Sequence, residues 1–137
     1  MDYTQIEAKA QEFIAALHTL EQGSPDDADQ LVALYSEDAT LCNSALDNKG
    51  RRLNGKGEIL RFWIEYKETL GDVVSNFHHV TASGDAAGLF WTTSGKNPAG
   101  DEVHYHGSTL LQFDETGQIN FFRGYYDTRE LLVKAEQ

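Results

Sequence analysis

Cysteine occurs once in this chain of 137 residues and proline twice. A lone Cys42 closes no intrachain disulfide and cannot hold a metal by itself, so a disulfide scaffold and a structural zinc site are both excluded. So few prolines in a chain that is 40% hydrophobic argue against disorder and low complexity. Long apolar runs are missing: no window approaches about eighteen consecutive apolar residues, and Asp2 and Glu7 stand where a leader needs positive charge. A cytoplasmic location is the expectation. Positive charge is scarce too, with 11 Lys and Arg against 22 Asp and Glu and a net charge of -11. Such a surface repels phosphate backbones and anionic lipid, so neither nucleic acid nor membrane is an expected partner. The length suits one domain spanning residues 1–137.

What is present is a clear succession of periods. Ile6, Ala10, Phe13, Leu17 and Leu20 recur at helical spacing and predict a first helix over 2–21. Ser24-Pro25-Asp26-Asp27 then offers a hydroxyl cap, proline at the first turn and acids beside it, which predicts a second, short helix through Leu31, Leu34 and Tyr35. A brief strand is expected at 39–42, followed by a polar loop over 43–57 carrying Gly50, Gly55 and Gly57. Ile59, Phe62, Trp63, Tyr66 and Leu70 predict a third helix over 58–70. After Gly71 the period becomes strand-like, with turn signals at Ser83-Gly84-Asp85, Asn97-Pro98-Ala99-Gly100 and Asp114-Glu115-Thr116-Gly117. Four strands, 73–82, 87–95, 102–113 and 118–126, are expected to form an antiparallel meander because their connections are short. Asp127 to Glu130 has the form of a capped helix start, with Leu131 and Leu132 available to dock a C-terminal helix. Helices first and strands after imply an α+β domain, its helices covering one face of a curved antiparallel sheet.

Four segments carry a resemblance: Tyr35-Ser36-Glu37-Asp38-Ala39-Thr40-Leu41, Leu53-Asn54-Gly55-Lys56-Gly57-Glu58-Ile59, Gly84-Asp85-Ala86-Ala87 and Phe113-Asp114-Glu115-Thr116-Gly117-Gln118-Ile119. In order and over nearly the whole chain they resemble the nuclear transport factor 2-like superfamily, especially its SnoaL-like branch. The resemblance implies a cone-shaped, cystatin-like fold in which a curved antiparallel sheet packs against three helices around a conical cavity. It does not settle activity, because that superfamily includes ketosteroid isomerases, polyketide cyclases, epoxide hydrolases, dehydratases and non-catalytic modules. In the ketosteroid isomerases the general base lies just beyond the Asp-Ala-Thr segment, where this chain has Asn43, an amide that takes no proton near neutral pH. The protonated carboxyl of their oxyanion hole falls near Thr109 and their tyrosine near Ala16. The resemblance therefore carries no ketosteroid isomerase site.

Strand alternation assigns the inward faces. On the third meander strand Val103, Tyr105, Gly107, Thr109, Leu111 and Phe113 form the apolar set. The family register turns Phe122, Gly124 and Tyr126 inward on the fourth, and Leu89, Trp91 and Thr93 on the second. Val73, Phe77 and His79 share a face of the first. With Trp63 from the third helix and Asn43 at the rim, these make an aromatic cup suited to a small, flat, largely apolar ligand. The same residues also make sense as plain core.

Two candidates for proton chemistry stand out. His79 is the one histidine placed inward, and its ordinary pKa suits a general acid or base, although a hydrogen-bonded or partly exposed histidine is the commoner case. Asp127 is the second, since some SnoaL-like enzymes use a carboxylate near the last strand; with Tyr126 inward it is expected to point away and cap the final helix. His104 and His106 share a polar face about 7 Å apart without a third ligand in sight. Lys49, Arg51, Arg52, Lys56, Arg61 and Lys67 form a basic stretch that would draw an anion to the cavity mouth or simply face solvent. No nucleotide loop or nucleophile elbow is present, and no cofactor or metal is expected.

Three readings follow. The first is a homodimeric protein binding a small apolar or aromatic molecule through Asn43, Trp63, Leu89, Trp91, Thr93, Tyr105, Thr109, Phe122 and Tyr126. The second is a cofactor-free isomerase, cyclase, dehydratase or hydrolase in which His79 moves a proton, helped by Tyr105, Tyr126 or Asn43. The third is a non-catalytic dimerisation module whose cone is filled. The lack of an inward carboxylate favours the first.

Overall fold

A computed structural model describes residues 1–130. Helix α1 (Tyr3–Gln22) opens with a capping box: Asp2 accepts from the Gln5 backbone N–H at 2.8 Å, and the Gln5 side chain accepts from the Asp2 N–H at 3.0 Å. Its buried stripe is Ile6, Ala10, Phe13, Ile14, Leu17 and Leu20, and it runs one position further to Glu21. A 3₁₀ turn (Pro25–Asp27) leads into α2 (Ala28–Val32). The second helix thus ends earlier than its sequence predicts. Tyr35 belongs instead to β1 (Tyr35–Asn43), fully buried.

β1 is much longer than the brief strand expected at 39–42. It pairs in parallel with β6 (Ile119–Tyr126), with a register break between Tyr35 and Thr40. That break destroys the alternation by which sequence reveals a strand, and a partner more than seventy residues away gives no local turn signal. The expected loop over 43–57 also holds structure, the single turn α3 (Ser44–Asn48) and the two-residue β2 (Leu53–Asn54). α4 (Lys56–Leu70) ends at Gly71, which takes φ of 71° and lies so close to Lys96 and Pro98 that a Cβ would meet their atoms at 2.9 Å.

The meander follows as β3 (Asp72–Ser83), β4 (Ala86–Lys96), β5 (Glu102–Phe113) and β6, each antiparallel to the next. The full sheet has the open order β2-β1-β6-β5-β4-β3. It curves around α1, α2 and α4, the three helices expected, with α3 as an addition at one edge. The α+β class and cone-like architecture therefore hold. Ile6, Phe13, Leu31, Leu41, Ile59, Leu89 and Leu111 form the main core, each contributing about 1.5–3 kcal/mol by leaving water. A second cluster, Leu70, Val73, Trp91, Val103 and Tyr105, closes the far end of the sheet.

One irregularity relocates a candidate. Phe77 pairs with Trp91 but His79 pairs with Phe90, so His78 is an extra residue in β3. Val73, Ser75 and Phe77 face the helices before the bulge, and Val80 and Ala82 do so after it. His79 is turned to the outer face, exposed beside Phe90. The shared face expected of Phe77 and His79 does not exist. The expected docking of Leu131 and Leu132 falls outside the described residues. Among the described residues no helix is long and apolar enough to cross a membrane.

Candidate functional site

Between the concave face of the sheet and helices α1 and α4 lies a cavity of about 630 Å³. Its walls include Trp63, Trp91, Thr93, Tyr105, Thr109, Phe122 and Tyr126, with Asn43 at the β1 end. Leu89, expected beside them, is fully buried in the core and is not part of the wall, although its ladder partner Thr109 is. The rings meet edge to face: Trp63 lies 5.1 Å from Tyr66 and 5.6 Å from Phe122, Trp91 5.3 Å from Tyr105, and Tyr105 5.6 Å from Tyr126. Such contacts fix ring orientation, each setting the edge of one ring against the face of the next.

Both indole N–H groups have structural duties. Trp63 Nε1 donates to Tyr35 Oη at 3.2 Å, and Trp91 Nε1 donates to Thr109 Oγ1 at 2.9 Å. Trp91 rests against the bare backbone of Gly107: a Cβ there would lie 2.9 Å from the indole and 2.1 Å from the Tyr125 carbonyl. Asn43 caps α3, its Oδ1 accepting from the Leu46 N–H at 2.8 Å.

The cavity also has a carboxyl group behind one wall, contrary to the expectation that none turns inward. Glu21, 3% exposed at the end of α1, accepts from the Ser75 N–H at 2.9 Å, from Ser75 Oγ at 2.6 Å and from Tyr66 Oη at 2.6 Å. Ser75 Oγ in turn lies 2.6 Å from Thr93 Oγ1, and Thr93 stands opposite Tyr105 across the β4–β5 ladder. Tyr66, Ser75, Thr93 and Tyr105 all border the cavity. Burial, then the proximity of Tyr105 and Glu21, pushes the Tyr66 phenol well above its ordinary pKa. Burial followed by the nearby Tyr126 and Glu21 does the same for Tyr105, and burial alone raises Tyr126. These phenols are protonated across the physiological range.

Glu21 had a signal in the sequence: it lies four residues after Leu17, on the apolar stripe. Lys67 had the same one, four residues after Trp63. It is buried, donating to the Glu21 carbonyl at 2.7 Å and the Gly71 carbonyl at 3.0 Å, so it does not belong to the basic rim. The rim itself has Lys49, Arg51 and Arg61 interleaved with Glu58 and Glu65, all exposed. Asp127 is exposed and accepts from the Arg129 backbone N–H at 2.9 Å, as expected of a local cap. On the outer face His104 contacts Ser94 and His106 faces Glu130.

A curved sheet wrapped on three helices around a side cavity defines the nuclear transport factor 2-like class. The SnoaL-like domain family model matches residues 10–121, and the chain belongs to that family. An LEH-like epoxide hydrolase from M. tuberculosis is 18% identical with a TM-score of 0.74, covering 98% of this chain and 91% of that one. A SnoaL-like protein of unknown function from Burkholderia thailandensis is 14% identical with a TM-score of 0.73, covering 93% and 98%. A protein of ketosteroid isomerase-like fold from Catenulispora acidiphila, in complex with trimethylamine, is 18% identical with a TM-score of 0.74, covering 91% and 92%. At these identities the likeness carries the fold alone. No curated protein matches the chain.

Proposed function

We propose that this protein binds a small apolar or aromatic metabolite in its conical cavity. The supporting observation is the open volume of about 630 Å³ among Trp63, Trp91 and Tyr126, within the size range of small-molecule sites. The filled cone of a pure dimerisation module would have those rings interlocked. The test is a thermal-shift screen against steroids, aromatic polyketides, terpenoid epoxides and aromatic acids, followed by tryptophan fluorescence on each hit. A ligand at 100 times its dissociation constant raises stability by about 2.7 kcal/mol. Saturable quenching that disappears in Thr109→Trp, which fills the chamber, is the expected result; hits that bind the filled variant equally overturn the reading.

A second reading, turnover, draws on the 2.6 Å pairing of Glu21 with Tyr66, which offers a route for proton movement now that His79 lies outside. Conversion of a bound ligand that falls at least about 100-fold in Glu21→Gln supports it. Self-association draws on Val74, Phe90 and Tyr125, which are 52%, 41% and 48% exposed, on the outer face of the sheet. Sedimentation showing only monomer at micromolar concentration ends that proposal.

A further inference from the structure

The polar row beside the cavity has a direction, and Glu21 sets it. Three donors on two oxygens is the pattern of a carboxylate, which has no proton to return, so Tyr66 and Ser75 are both donors to it. Ser75 has then spent its proton, and its 2.6 Å contact with Thr93 is filled by the Thr93 proton. Thr93 is left with only lone pairs for its cross-strand neighbour Tyr105. Protons along the row of Tyr66, Ser75 and Thr93 point toward Glu21, which leaves lone pairs on Thr93.

The charges beside the row are those of two helix ends, Lys67 and Glu21. The negative ends of α1 and α4 both terminate here, at Gln22 and Leu70. Lys67 offsets those ends through the carbonyls of Glu21 and Gly71, with Asp72 at 4.0 Å, so the negative group left beside the cavity is the Glu21 side chain. Among the described residues no Lys, Arg or His nitrogen lies within 4 Å of the Glu21 carboxylate oxygens. The charges of the rim are exposed and screened by salt. Tyr66, Trp91 and Tyr105 line the cavity beside these acceptors, and aromatic rings attract cations.

We propose that the Glu21 end of the cavity is a site for an organic cation, a quaternary or protonated amine seated among Tyr66, Trp91 and Tyr105 with Glu21 as its counter-charge behind Tyr66. The inference rests on the small-molecule reading above and adds a positive charge to the ligand it expects. Calorimetry with (4-hydroxyphenyl)trimethylammonium and 4-tert-butylphenol tests it, because the two have the same shape and differ in a charged nitrogen against a neutral carbon. The wild-type protein is expected to bind the cation about tenfold more tightly or better. Glu21→Gln is expected to bring the two affinities within about threefold, and Tyr66→Phe, which keeps the ring, to reduce the preference several-fold. Equal or tighter binding of the neutral phenol overturns the cation site and leaves the cavity reading standing. Binding of neither overturns it as well, with the apolar screen then deciding the cavity reading separately. A preference unchanged in both variants overturns the role of Glu21. The wild-type comparison needs no variant to fold.

Discussion

Tyr66 and Glu21, 45 positions apart in the chain, meet through a 2.6 Å hydrogen bond that ties the last turn of α4 to the end of α1. Ser75 holds the same carboxylate from β3 through both its backbone N–H and its hydroxyl. One side chain thus joins two helices and the sheet beside the cavity.

Removing that junction leaves three donors without an acceptor. Glu21→Ala is expected to lower the unfolding free energy by about 2–4 kcal/mol, because three donors lose their acceptor and the two helices lose their shared tie to β3. Urea denaturation measures this, and a loss under about 1 kcal/mol would mean the network carries little of the fold.

Alkaline stability follows from the buried phenols. Tyr35, Tyr66, Tyr105 and Tyr126 all have pKa values raised above 10.0, chiefly by burial. The folded chain therefore keeps these protons at pH values where the unfolded chain releases them. Their contribution is complete below about pH 10 and is lost as pH climbs beyond it. Urea midpoints are expected to stay level up to about pH 9 as far as these groups are concerned, then fall. The four phenols should ionise, read by absorbance near 295 nm, together with unfolding rather than before it.

His79→Ala is expected to change stability by no more than about 0.5 kcal/mol. Its imidazole is exposed on the outer face, so affinity for any cavity ligand should be unaffected. A clear loss of binding in that variant would contradict the register observed after the bulge.

Trp63→Ala is expected to cost about 3–5 kcal/mol, the range for emptying a buried aromatic site. The indole packs on Phe13, Phe62, Tyr66 and Phe122 and pairs with Tyr35. The size of the loss, read from thermal or urea unfolding, separates a wall of the core from a loose lining group.

Much of this architecture was readable because strands with one buried face alternate. β5 did so from Val103 to Thr109, and the reading placed Tyr105 and Thr109 at the cavity wall. Alternation fails where the backbone inserts a residue: nothing in Phe77-His78-His79 marks a bulge, so strict alternation puts His79 on the wrong face. Tyr35 reads as helical for a different reason, since the parallel partner that makes it a strand residue, Ile119, lies far along the chain. Glu21 does not stand out, and Lys67 reads as part of the basic stretch, because acids and lysines near helix ends are usually solvated. Their position on the apolar stripes was the available clue, and only tertiary contacts between α1, α4 and β3 gave it meaning.

Gly107 places a limit on how such a chamber can diversify. With a carbonyl on one side of the missing Cβ and an indole on the other, this point of the sheet admits no larger residue without displacing backbone. A change of ligand on this scaffold has to come from the other lining positions, on the helices, the rim or the neighbouring strand residues, with Gly107 as the fixed datum.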